Sequence, residues 1–304
     1  MPIVFGNRQP SYRRGGLFGN KGRQTSKRGG LPMRLIIAAG IALIAIVGYF
    51  MSGVENPITG GVDRVAMNQE QEVALGLQAA PEMAAQMGGA VPQSDSRQRF
   101  VSAVGNHLLT DGGLAEKLRE NNIPYEFTFT LLEDDDMVNA FALPGGPVFI
   151  TEALFNRLEN EAQLAGVLGH EIGHVIERHS AERMAKSQLG QQLVGAAAVG
   201  TGDMSTAQVG QAVNQMMQMK YGRNDELQSD DFGLSLLVTS GYDPREMVRV
   251  MEILRDASGG GGGQPEFMST HPAPQSRIDA IEAWVQEKFP DGVPRELSKG
   301  RSLQ

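Results

Sequence analysis

Cysteine is absent from this 304-residue chain. Its absence excludes disulfides, thiolate metal ligands and a lipidated N-terminal cysteine, without choosing a compartment. Acid is absent from residues 1–34, which carry eight basic side chains from Arg8 to Arg34. Large apolar side chains are scarce in residues 1–30, and charge is absent from Leu35 to Met51. What remains after residue 34 holds all 35 Asp and Glu and is more acidic than the formal net charge of −8. An acidic body argues against nucleic acid as a partner, which would call for a basic face. With 41% hydrophobic residues, the chain can bury the core of one sizeable domain or two small ones.

Residues 1–30 are rich in Gly, Arg, Gln and Ser. Such a segment cannot offset its ordering entropy by burial, so it reads as a disordered basic cytoplasmic tail. It is either attracted to anionic head groups or an inert topogenic tail. Residues 31–54 approach the roughly 20 apolar residues that cross a bilayer. The alternative is a cleaved signal peptide, but the stretch is long and no A-x-A-like site follows, which favours an uncleaved anchor. Positive charge lies only on its N-terminal side. The expected topology is therefore single-pass in the inner membrane, N-terminus cytoplasmic and the remainder periplasmic. Residues 55–66, with Pro57, Gly60 and Gly61, read as a linker, and 291–304 as a polar tail.

Helices are expected over Asn68–Met87 and Ser96–Leu109, the latter with a structural His107, and a last helix buries Ile278, Ile281 and Val285. Tyr125–Leu132 alternates apolar and polar residues and predicts a strand, followed by a solvated acidic turn at Glu133–Asp136. Asn139–Leu143 and Pro147–Thr151 flank Pro144-Gly145-Gly146 and predict a hairpin. Its outer strand is suited to pair with an extended peptide, or the hairpin merely covers the core. Gly190–Met219, charged only at Asp203, suggests two short helices about a turn near Gly200 and Gly202.

His170-Glu171-Ile172-Gly173-His174 is the most informative stretch. Residues four apart share a helix face, so two imidazoles converge on one point. Glu171 stands where a general base would reach water held at a metal, the H-E-x-x-H arrangement of zinc peptidases. The competing reading is a buried helix whose histidines are satisfied by hydrogen bonds. Asn160 with Gln163 predicts an N-cap and capping box, and Leu164, Val167, Leu168, Ile172, Val175 and Ile176 recur as one apolar face. Gly166, Gly169 and Gly173 each cost about 0.8–1 kcal/mol inside a helix, which is tolerable where another backbone, such as a substrate strand, comes close.

Downstream, Glu226 and Asp230 are again four apart. Two histidines and a glutamate form a known catalytic zinc set, and a carboxylate commonly orients a ligating imidazole. Glu226 is therefore the candidate third ligand and Asp230 the orienter of His170; the alternative is a pair of surface acids.

Asn139-Ala-Phe-Ala-Leu-Pro-Gly-Gly146, Leu168-Gly-His-Glu-Ile-Gly-His-Val175, Arg178-His179, Glu226 with Asp230, Gly241-Tyr-Asp-Pro244, and Ser269-Thr-His-Pro272 with Arg277 together resemble the HtpX / CAAX prenyl protease family. These are membrane-associated zinc metallopeptidases of the gluzincin group, and the resemblance runs from about Asn68 to Trp284. It implies an α+β, predominantly helical metallopeptidase domain over residues 67–290, with a small β-sheet, following one transmembrane helix. It also implies one Zn2+ per chain on His170, His174 and Glu226, Glu171 as base, and a protein or peptide substrate. His271 falls where members have a histidine near the metal, and it is expected to donate to the oxyanion and to cap the open position at rest. The ground for this expectation is that His271 sits on a Pro-bounded loop after the Gly259–Gly263 run, which would give the loop freedom to move. Arg277 matches a family arginine and, with Asn139, Ala140 and Phe141, is a candidate contact to substrate or transition state. Gln228 and Ser229 depart from the family's more frequent acid and Ala. His179 is expected to be structural. Protein quality control in the cell envelope is the implied task. A non-cleaving chaperone or scaffold on the same fold is the alternative.

Overall fold

The computed structural model describes residues 33–201, 221–258, 266–272 and 275–303. The basic tail at 1–30, most of the uncharged segment beyond Thr201 and the Gly259–Gly263 run lie outside the described residues. Helix α1 (Met33–Met51) is the charge-poor run, with mean hydropathy 2.2 and 11% of its apolar window buried. Strands β1 (Gly53–Glu55) and β2 (Val62–Arg64) then pair antiparallel where a linker was expected. Asn56 and Asp63 are buried there, and the Asn56 carboxamide oxygen accepts the Ile58 and Thr59 N–H groups at 3.0 and 3.3 Å. Pro and Gly mark tight turns as readily as linkers, so composition alone could not separate the two.

Helix α2 (Gln69–Gln86) starts at Asn68 with a reciprocal capping box to Gln71, and α3 (Ser96–Thr110) starts at Asp95. After α4 (Leu114–Glu120), strands β3 (Thr128–Leu132), β4 (Ala140–Ala142) and β5 (Pro147–Thr151) form a sheet in the order β3-β5-β4. The predicted hairpin is β4–β5, and β4 is the sheet edge. Its turn needs glycine: Gly145 has φ +81°, and a Cβ there would lie 2.4 Å from the Val73 Cα of α2. The strand expected from Tyr125 starts three residues later; before it the Glu126 N–H donates to the Gly145 carbonyl of the turn at 3.0 Å, and the Tyr125 hydroxyl donates to Glu72 of α2.

Next come α5 (Glu152–Phe155), α6 (Glu161–Ile176), α7 (His179–Thr201), α8 (Arg223–Thr239), α9 (Glu246–Ser258), α10 (Glu266–Thr270) and α11 (Gln275–Lys288). Helix α7 packs along α1 and runs to Thr201; Gly202, part of the expected turn, and the second helix expected after it lie outside the described residues. The motif helix α6 is buried on every side from Ala162 to Ile176, where an amphipathic helix with one apolar face was expected. It lies against α8, α9, α3 and the sheet, so no face is left for water.

Both ends of α6 are completed by the segments read as linker and tail. Its first two N–H groups donate to the Arg301 and Lys299 carbonyls at 2.8 and 3.0 Å, and the next to the Asn160 side chain at 3.1 Å. The Gln163 side chain accepts from the Glu159 N–H rather than from Asn160, so the expected capping box is not reciprocal. At the far end the Asn56 carboxamide donates to the Ile176 carbonyl at 2.8 Å. A buried helix end must satisfy these groups somewhere, and here long-range chain does it.

Burial pushes the Asp63 carboxyl up to about 7, against the pull of the Asn56 hydrogen bond and the Arg178 charge. A carboxyl raised in the folded state binds more protons than its unfolded counterpart between pH 4 and 7, so stability falls as pH rises through that window. Asp63→Asn should therefore unfold at a higher temperature than the parent above pH 7, with the gap closing towards pH 4. Equal pH profiles in a thermal melt would show that Asp63 carries no such cost.

Candidate metal centre

Helices α6 and α8 meet backbone to backbone. A Cβ on Gly173 would lie 2.9 Å from the Ser229 Cα, and one on Gly233 would lie 3.0 Å from the His170 nitrogen. The close backbone that the α6 glycines admit is thus the helix carrying Glu226 and Asp230, not a substrate strand. This approach explains why small residues, Ser229 and Gly233, face the motif.

The crossing gathers four buried side chains. His170 Nε2 lies 3.0 Å from His174 Nε2, 3.6 Å from Glu226 Oε2 and 3.4 Å from His271 Nδ1. His174 Nε2 is 3.5 Å from Glu226 Oε1, which is 3.1 Å from His271 Nδ1. One ligating atom from each lies within 4.8 Å of all the others. The Asp230 carboxylate accepts from His170 Nδ1 at 2.9 Å.

Electrostatics divide the two motif imidazoles. Burial disfavours a charged His170, but the Asp230 hydrogen bond and charge outweigh it and raise its pKa. Burial, followed by the nearby His170, His271 and His179, holds His174 well below the ordinary range, so it is neutral with a lone pair to offer. Burial also opposes ionisation of Glu226 and Asp230. His271 and His170 overcome it for Glu226, and Arg277 and His170 bring Asp230 down to about 2. Glu171 is different. Burial raises its pKa, opposed by His271 and His170, and both its oxygens are buried with no hydrogen bond; the nearby Ala142 amide pulls the other way without closing one. His271 Nε2 stands 3.8 Å from Glu171 Oε1.

Arg277 does not line the cleft, contrary to the expected contact with substrate. It is 1% exposed and donates to Asp230 at 2.6 and 2.7 Å, to Glu226 at 2.5 Å and to the Pro272 carbonyl. Two buried carboxylates four apart on α8 attract a fork-shaped cation from behind. Asn139 and Phe141, at the sheet edge, do line a cleft of about 980 Å³ that reaches His271. The Asn139 Oδ1 is buried with no hydrogen-bond partner among the described residues. Ala140 is fully buried in the core because successive strand residues face opposite ways.

Two residues at the cluster were not found from sequence. The Tyr221 ring lies 3.9 Å from that of His174, with its hydroxyl 3.1 Å from Ser180 Oγ. His179, read as structural, approaches His174 directly, Nδ1 to Nδ1 at 2.9 Å. Its place in the Arg178-His179 pair was the available signal, but it lies beyond the end of α6, where helical periodicity gives no direction.

The donor set suits a divalent cation. Bonds of about 2.0–2.2 Å to nitrogen and oxygen give a tetrahedron with edges of about 3.3–3.6 Å, close to the separations above. Two imidazoles and a carboxylate converge beside Glu171, whose oxygens are buried with no hydrogen bond among the described residues. A helix bearing H-E-x-x-H crossed by a helix bearing a carboxylate defines a metallohydrolase of the gluzincin type.

Residues 96–285, more than half of the chain, match the model of peptidase family M48, and the chain belongs to that family. It is 30% identical over 218 residues to the β-barrel assembly-enhancing protease of Escherichia coli K12, covering 67% of this chain and 43% of that protein. It is 35% identical over 164 residues to the mitochondrial metalloendopeptidase OMA1 of Schizosaccharomyces pombe, covering 54% of this chain and 48% of that protein. The match thus spans less than half the length of these relatives.

Proposed function

We propose that this chain is a membrane-anchored zinc endopeptidase, with residues 67–290 as its peptidase domain. In this reading His170, His174 and Glu226 hold the ion. The observation that carries it is the buried cluster of ligating atoms with Glu171 beside it, buried and without a hydrogen bond among the described residues. A mixed nitrogen and oxygen donor set of this kind favours zinc. Bound there, the ion supplies Lewis acidity, which acidifies water and polarises a peptide carbonyl.

The chain's own residues do the rest. Glu171, with a pKa raised by burial, takes the proton of the attacking water at its carboxylate and returns it to the leaving amine. Asp230 holds the His170 proton on Nδ1, leaving Nε2 free as a donor atom. The β4 edge with Asn139 and Phe141 is placed to pair with an extended substrate backbone. His271 closes the cluster at rest and donates to the developing oxyanion once it swings clear.

The exposed apolar surface of α1 and the basic residues before it support an inner-membrane anchor with the peptidase domain on the periplasmic side. The printed name of the E. coli relative ties that protein to β-barrel assembly. That supports envelope proteins as substrates here. The full-length chain in detergent should cleave casein, lose at least about 100-fold of that activity to a chelator and regain it with zinc. Cleavage indifferent to the chelator would end the zinc reading.

A further inference from the structure

His170 and His174 are held in different ways. Behind His170 stands a charged pair, Asp230 with Arg277. Behind His174 stands another imidazole, that of His179, which is 2% exposed and belongs to α7 rather than to the motif helix. The atoms fix who donates. For His174 to offer a lone pair at Nε2, its proton must sit on Nδ1, so His174 Nδ1 donates and His179 Nδ1 accepts across 2.9 Å. The proton of His179 is then on Nε2, which faces Gln228 Oε1 at 3.3 Å. The Ser229 hydroxyl lies beside this contact, 3.3 Å from His179 Nδ1. His174, His179 and Gln228 thus form a one-way chain with a single consistent set of tautomers.

The position of His179 is itself built. Arg178 adopts φ +54°, a left-handed conformation that an arginine does not favour, and the chain reverses there between α6 and α7. Its guanidinium donates to Glu72 at 2.6 and 2.9 Å and to the Met67 carbonyl at 2.9 Å, all buried or partly buried. Glu72 also accepts from Tyr125. These contacts hold the turn that sets His179 under His174.

We propose that His179 is a positioning residue for His174, fixing its tautomer and ring orientation through an uncharged acceptor, with Gln228 fixing His179 in turn. The inference rests on His174 being a metal ligand. A neutral acceptor leaves His174 less electron-rich than His170, whose partner is a carboxylate. The two histidines therefore contribute unequally to holding the ion, and the neutral side of the site is set by residues from α7 and α8 that do not touch it.

Zinc affinity of the full-length chain, measured by chelator competition, tests this without relying on turnover. His179→Leu removes the acceptor and should weaken zinc binding about 10–100-fold. His179→Asn, whose side-chain oxygen can stand near the position of Nδ1, should keep affinity within about threefold of the parent. Gln228→Glu gives the chain a terminal carboxylate and should tighten binding. Its Co2+-substituted form should show a shifted visible ligand-field band. Thermal melts show whether each variant is folded. Parental affinity in a folded His179→Leu, or an equal loss in His179→Leu and His179→Asn, would overturn the positioning role alone. A parent chain that binds no zinc would overturn the metal-site reading and this inference with it.

Discussion

Glu171→Gln should lose about 10²–10⁴-fold of peptidase turnover while keeping the metal. The amide matches the carboxylate in shape but cannot take a proton from water. Glu171 is outside the group of four ligating residues, so metal content should be unchanged. The variant also carries a signature of its own. Glu171 is 0% exposed and its oxygens have no hydrogen bond among the described residues, so its charge is held at a cost that the neutral amide avoids. The Glu171→Gln protein should accordingly melt at the same temperature as the parent or higher. Loss of activity with stability held or gained separates a group kept for chemistry from one kept for folding. Turnover within tenfold of the parent in a casein assay would remove Glu171 from the reaction, whereas a parent that binds casein without cutting it would favour a chaperone or scaffold.

The second large effect is on folding. Arg277→Met should destabilise the chain by about 3–5 kcal/mol, the range for breaking a buried ion pair from one side. Its guanidinium is the cation shared by Asp230 and Glu226, all three nearly without solvent exposure. Methionine fills the space yet leaves two buried carboxylates facing each other. Arg277→Lys should fall between, because an ammonium cannot fork across two carboxylates. Denaturant midpoints of the metal-free proteins measure this directly. A shift below about 1 kcal/mol would mean that water or another cation reaches the pair.

Much of the centre was legible because it obeys local rules. His170 and His174, and Glu226 and Asp230, are each four apart, and helical geometry alone puts each pair on one face. The hairpin around Pro144-Gly145-Gly146 was legible for the same reason, since the turn residues sit between two short β-forming runs. Residues 55–66 and 291–304 were not. Their value lies in what they reach: Asn56 finds the Ile176 carbonyl, and Lys299 and Arg301 find the first N–H groups of α6. No local pattern records a hydrogen bond to a residue more than a hundred positions away. Arg277 misled for a related reason, because matching a motif position tells that an arginine is needed without telling which side of the ligands it approaches.

The sequence by itself determined the chemistry this chain can host: which side chains are available, their spacing on two helices, the apolar run before them and the turns between. Only the tertiary structure decided that the two helices cross at glycine and serine, so that Glu226 comes within 3.6 Å of both motif histidines. It alone placed Arg277 behind the carboxylates and His179 behind His174. The physical reason is that spacing along a helix fixes directions within that helix. The meeting of two helices depends instead on close packing of residues far apart in the chain, and there the absence of a Cβ matters as much as the presence of an imidazole.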